Sequence, residues 1–199
     1  MNKEHFFQPG EVECRSGGEG KPTIVRGYAA VFGKESRVLT TNSGHKFVET
    51  ISAGAFDGAD MSDLVAAFDH RNVLAKYPES LKVGTDSTGL WYEYEHDPAD
   101  PDHQSVMAKI RRGVVKGSSF MFDLEEDGFT VEKRGNMAYR MVTKISVLYD
   151  VGPVVRPAYL DTTALARSVD AVFGTEKEEN LLGLRLRVFL AQFPHSKKG

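Results

Sequence analysis

Short runs rich in apolar, β-branched and aromatic residues, bounded by glycine and polar turn residues, recur along this chain as the pattern of strands. Residues 23–32 form such a stretch, and Gly33 ends it. Residues 46–51 form another, after which Ser52 is placed to N-cap a short helix through Gly54, Ala55, Phe56 and Asp57. The apolar run at 64–68 has the length of a buried strand, and residues 81–84 and 89–95 flank Asp86-Ser87-Thr88 as a hairpin. The pattern then changes. Val106, Met107 and Ile110 fall at helical core spacing behind the loop Asp97-Pro98-Ala99-Asp100-Pro101-Asp102, and Gly113 stops that helix. Strands follow at 118–124, 129–133 and 139–149, with turn residues at Asp127-Gly128 and Arg134-Gly135-Asn136, and Pro153 and Pro157 break the last one. Residues 162–173 and 178–193 return to helical spacing, and Leu182, Leu186, Phe189, Leu190 and Phe193 form a stripe that must dock on something. Residues 1–22 read as a short first strand or a loose arm. The expected organisation is that arm, a β-rich, barrel-like domain with a few helices at 23–160, and a helical tail at 161–199.

Composition narrows the class. The 199 residues suit one domain with a real hydrophobic core, and a net charge of only −3 argues against a nucleic-acid partner. No apolar run approaches the ~18 residues of a membrane span, and the N-terminus lacks the apolar core of a secretion signal. Cys14 is the single cysteine, so no internal disulfide forms. A soluble intracellular protein is expected.

Chemistry enters at two segments, Lys116-Gly117-Ser118-Ser119-Phe120-Met121-Phe122 and Ala67-Phe68-Asp69-His70. Each sets polar side chains among residues that look like buried strand, which is costly unless they find partners. A serine and a histidine that satisfy each other remove that cost and make an activated nucleophile. Alternation puts Ser118, Phe120, Phe122 and Leu124 on one face and Ser119, Met121 and Asp123 on the other. The phenylalanines claim the core, so Ser119 is the nucleophile candidate on the open side, and Ser118 is a structural hydroxyl. Taken singly, Ser119 is an ordinary strand serine and His70 an ordinary strand-end histidine bonded to backbone. Asp69, pointing to the opposite face of a strand, is a poor orienter of its neighbour. Asp150, ending a strand just before Gly152-Pro153, either holds an imidazole in its tautomer or serves as a turn aspartate. His96, Asp97 and His103 match no metal-ligand spacing and read as a solvated loop. Cys14 sits in a polar segment without a nearby base, and no glycine-rich loop has phosphate-binding spacing.

The order of these segments resembles the prohead (capsid maturation) proteases of tailed bacteriophages, a serine peptidase family distantly related to the herpesvirus assemblins. The resemblance runs from Gly27 to Tyr159. It is carried by Gly27-Tyr28-Ala29-Ala30-Val31-Phe32, Glu49-Thr50-Ile51-Ser52-Ala53-Gly54-Ala55-Phe56, Phe68-Asp69-His70 and Thr88-Gly89-Leu90-Trp91. Arg112-Gly113 then precedes Gly117-Ser118-Ser119-Phe120-Met121-Phe122, and Asp150-Val151-Gly152-Pro153-Val154-Val155-Arg156-Pro157-Ala158-Tyr159 closes the series. The fold it implies is α+β and mostly antiparallel, an assemblin-like β-barrel surrounded by a few helices with a helical C-terminal tail.

The family pattern falls on His70 as base, on Ser119 as nucleophile and on Asp150 at an acidic position that is usually glutamate. Met121 stands where the family commonly has glycine, and Gly152 where it commonly has serine. Arg156 and backbone amides near Gly117 are candidates for the oxyanion hole. The resemblance implies a serine endopeptidase without cofactor or metal, acting on scaffold or major capsid protein, and on itself, inside the procapsid in the host bacterial cytoplasm. It also implies a homodimer or incorporation into the procapsid, with no nucleic-acid or membrane partner. The competing expectation is a catalytically silent β-barrel assembly module, in which His70 and Ser119 lie more than roughly 5 Å apart. An esterase-type hydrolase is disfavoured, because no Gly-x-Ser-x-Gly elbow surrounds Ser119.

Overall fold

The computed structural model describes residues 4–8, 12–16, 18, 21–41, 43–155 and 168–174. Thirteen strands and helix α1 are assigned there, besides a helical segment at 168–174: β1 (Glu4–Gln8), β2 (Val12–Ser16), β3 (Thr23–Val31), β4 (Leu39–Thr40), β5 (Lys46–Ile51), β6 (Val65–Phe68), β7 (Asn72–Lys76), β8 (Leu81–Thr85), β9 (Gly89–Glu95), α1 (Pro101–Arg111), β10 (Gly117–Leu124), β11 (Phe129–Arg134), β12 (Met137–Val142) and β13 (Ile145–Val154). They form three open sheets, ordered β1-β10-β13-β6-β7, β11-β12-β5-β4 and β2-β3-β9-β8. The expected β-barrel is therefore replaced by separate sheets among the described residues, with no closed barrel. Pairing is mostly antiparallel, with β12 on β5 and β13 on β6 parallel.

The first and third sheets face each other across the main core. Val25, Ala29, Leu90 and Tyr92 from one side meet Phe120, Phe122, Leu148, Val151 and Ala66 from the other, with Val106 and Met107 of α1 at the edge. The phenylalanines of β10 stack on each other at 4.9 Å, as their shared face predicts. Helix α1 covers the expected helical positions and starts at Pro101, within the expected loop. Asp100 accepts from the Asp102 and His103 N–H groups, Pro101 follows in the first turn, and Gly113 leaves the far end at φ +69°.

Four expectations are corrected. Residues 52–58 form turns rather than a helix, because Gly54 takes φ +85° and the bonds Ala55 N–H to Ser52 O and Asp57 N–H to Gly54 O span only three residues. The stretch 139–149 is two strands in different sheets, since Gly128 accepts the N–H groups of Thr143 and Lys144 and takes the chain out of one ladder. Pro153 lies inside β13 rather than ending it, its carbonyl accepting from Asp69 N–H at 3.1 Å. The N-terminal arm is two strands: β1 pairs with β10 and β2 with β3.

Of the tail, residues 168–174 are helical and lie on the β11-β12-β5-β4 sheet, where buried Val169 meets Phe47 and Ala138. The rest of 162–173 and all of 178–193, with their apolar stripe, fall outside the described residues.

Candidate active site

Register brings the three sequence candidates together. In the antiparallel pair β10–β13, Ser119 opposes Gly152 and Met121 opposes Asp150. Opposed residues share a face, and Asp150 is two residues from Gly152, so Ser119 and Asp150 are diagonal neighbours on one face. On the other side of β13, β6 runs parallel with Val65 beside Asp150 and Ala66 beside Val151. The chain therefore leaves β6 just past the pair, and the turn that follows carries His70 over that face.

The result is a continuous relay. His70 Nδ1 lies 2.7 Å from Asp150 Oδ1, and His70 Nε2 lies 3.0 Å from Ser119 Oγ. An ionised carboxylate only accepts, so Nδ1 carries the proton and donates to Asp150, leaving Nε2 to accept from the serine hydroxyl. That is the tautomer a general base needs. Asp150, a methylene shorter than the glutamate of the family pattern, reaches the imidazole directly.

Burial departs from the sequence reading. Ser119 is 0 % exposed and Asp150 3 %, so the serine lies on the face away from the phenylalanines but not on an open one. The imidazole, at 14 %, is the most accessible member of the three. Strand β1 covers the free edge of β10, with the Phe7 backbone in register with Ser119.

Asp150 is a mid-strand residue of β13 rather than a strand end or turn aspartate. His70 is not at a strand end bonded to backbone but in a turn, where Asp69 and His70 have φ +49° and +58°. Met121 is half-buried, and the β10–β13 ladder shifts register between it and Phe122. Ser118 is the structural hydroxyl expected, sharing a 2.9 Å hydrogen bond with Tyr92 Oη in the core. Burial pushes the Tyr92 phenol far up, so it stays protonated there.

The other candidates occupy positions apart from this relay. His103 Nε2 donates to the Leu74 carbonyl and Nδ1 accepts from Asp97 N–H, which fixes a buried helix residue instead of a solvated loop one. Burial, then the neighbouring His103, lower the His96 pKa. Cys14 belongs to β2 and is half-buried, and that burial raises its thiol pKa, opposite to what a nucleophile requires. Among the described residues no group of three or more His, Cys, Asp and Glu side chains is placed to hold a metal ion. Arg156 lies outside the described residues.

Sequence reasoning passed over two features. One is Tyr92, whose hydroxyl is hidden in an aromatic strand. The other is the left-handed Asp69-His70 turn, for which a signal existed, because Asp and His are enriched at positive φ.

Comparisons with known proteins point to the same family. The family described as Caudovirus prohead serine protease matches residues 10–174. The prohead protease of Enterobacteria phage HK97 is 26 % identical over 176 residues, covering 86 % of this chain and 72 % of that protein. A solved structure, the bacteriophage T4 capsid assembly protease gp21, aligns with a TM-score of 0.43 and 14 % identity over 78 % of this chain and 96 % of that one.

Proposed function

Because the chain belongs to the caudovirus prohead serine protease family, we propose that it is an endopeptidase working through an acyl-enzyme, with Ser119 as nucleophile, His70 as base and Asp150 as its orienter. The observation that carries this reading is the pair of contacts at His70, 3.0 Å to Ser119 Oγ and 2.7 Å to Asp150 Oδ1. A silent module would have no reason to align a buried hydroxyl, an imidazole and a carboxylate in that order, and its expected separation of His70 from Ser119 is not what the fold has.

In the proposed cycle Ser119 Oγ bonds to the scissile carbonyl carbon as His70 Nε2 takes its proton. Imidazolium His70, held by Asp150, then gives that proton to the leaving amine. Water, deprotonated by the same imidazole, attacks the acyl ester. The released acid leaves Ser119 protonated again.

The substrates consistent with the family are the scaffold or a scaffolding segment of the major capsid protein, and the chain itself, cleaved inside the procapsid in the host cytoplasm. Co-expression with the capsid protein tests this. Wild type should process it, while Ser119→Ala and His70→Ala should both leave it intact. Processing that persists in either variant would overturn the assignment.

A further inference from the structure

We infer that Asp69 is a positioning residue for His70, its carboxylate standing in for a strand carbonyl so that the left-handed turn is locked to the strand that carries Asp150. The inference rests on the reading of Ser119, His70 and Asp150 as a catalytic relay.

The turn Phe68–Arg71 is closed by Arg71 N–H donating to Phe68 O at 3.1 Å. Its two central residues, Asp69 and His70, are the only non-glycine residues with positive φ among those described. Such φ signs suit Asn-Gly, and two consecutive side chains there are strained. Strain of this kind persists only where surrounding structure over-determines it.

Asp69 supplies the restraint from both its groups. Its N–H donates to Pro153 O at 3.1 Å, and its Oδ1 accepts from Val155 N–H at 2.8 Å. Regular pairing of β6 with β13 has already ended, at Ala66 beside Val151. Beyond that point Asp69 continues the ladder, with its side chain in the place of the missing carbonyl. The anchor points, Pro153 and Val155, lie three and five residues along the same chain from Asp150. Imidazole and carboxylate are thereby referenced to one backbone, and the distance from His70 to Asp150 depends little on the motion of the β6–β7 hairpin.

The role differs from that of a catalytic residue. Asp69 bonds to backbone amides and carbonyls of β13 and its flank, and acts on the reaction only through where it holds His70. It also differs from a generic turn aspartate, which caps its own turn rather than a neighbouring strand.

The test measures covalent labelling of Ser119 by a small fluorophosphonate in the full chain, across pH, with the His70 Nδ1 proton followed by NMR. Asp69→Gly is the main variant, because glycine tolerates the positive φ while the carboxylate is lost. It should keep the wild-type melting temperature within a few degrees, yet label about 10- to 100-fold more slowly, as expected for a misplaced catalytic group. Its downfield Nδ1 proton signal should broaden or move. Asp69→Asn retains an acceptor oxygen and should restore labelling to near wild type.

If Asp69→Gly labels at the wild-type rate with an unchanged Nδ1 signal, the positioning role is wrong. It is equally wrong if Asp69→Asn is as slow as Asp69→Gly, since charge rather than the hydrogen bond would then matter. Failure of the underlying reading looks different. In that case wild type itself does not label, or Ser119→Ala labels as fast as wild type.

Discussion

Gly152 packs against Ala67 so closely that a Cβ on Gly152 would stand 2.1 Å from the Ala67 carbonyl oxygen. The contact joins β13 to β6 at the level of Ser119, which opposes Gly152 in the ladder. The serine common in the family at this position has no room here.

Gly152→Ser should therefore force the two strands apart, costing about 1–3 kcal/mol of stability. His70 and Asp150 would separate with them, so labelling of Ser119 should fall as well. Urea melts and fluorophosphonate labelling check the two effects. Gly174→Ala, where a Cβ meets nothing within 4 Å, is the control and should stay within about 0.5 kcal/mol of wild type. A Gly152→Ser protein as stable as that control would contradict the contact.

Asp150→Asn replaces an acceptor with a group that can present an N–H to His70 Nδ1, favouring the wrong tautomer. Acylation of Ser119 should drop by about 10³- to 10⁴-fold with little change in stability. Asp150→Glu keeps the charge and should retain far more activity than the amide, although the added methylene must be accommodated at a site only 3 % exposed. Single-turnover labelling of the two variants beside wild type decides it; an Asp150→Asn rate equal to wild type would remove Asp150 from the relay.

Tyr92→Phe should leave the Ser118 hydroxyl buried without its partner, at a cost of about 1–3 kcal/mol. Adding Ser118→Ala should return part of that loss, because both ends of the bond are then apolar. Urea melts of the four proteins form a double-mutant cycle, and strictly additive effects would show the bond to be energetically silent.

The helical segment 168–174 should release in acid before the main core does. Burial works against ionisation of Asp170, but hydrogen bonds from His45, Ser43 and Thr41 outweigh it and hold its carboxyl below the ordinary value of 3.8. A carboxyl lowered on docking contributes stability above its undocked pKa, and that stability disappears as pH falls through the docked value. Docking should thus be constant near neutrality and weaken below about pH 4. Amide exchange should report earlier loss of protection at 168–174 than in β10, and Asp170→Asn should abolish the difference in pH dependence. Protection at 168–174 that survives to the acid limit of β10 would refute it.

Much of the local structure was legible because it depends on near neighbours. Short apolar runs bounded by turn residues placed β3, β5, β8 and β9, alternation set the faces of β10, and helical spacing with Gly113 placed α1. The turns at 52–58 were misread as helix, since Ser52 offers a good cap while Gly54 adopts a backbone that no helix continues. The 139–149 stretch was read as one strand because both halves are apolar, and the break is set by bonds from Thr143 and Lys144 to the Gly128 carbonyl, outside the stretch itself.

The sequence by itself determined which side of β10 each serine takes, since alternation is a local steric property, and the order of motifs named His70, Ser119 and Asp150. Only the tertiary structure decided that the three meet. Their spacing follows from the register of β10 on β13, from the parallel approach of β6 and from a turn that Asp69 anchors. It decided, too, that Ser119 is enclosed rather than open. Those are non-local contacts between segments up to 86 residues apart, and no short-range pattern encodes them.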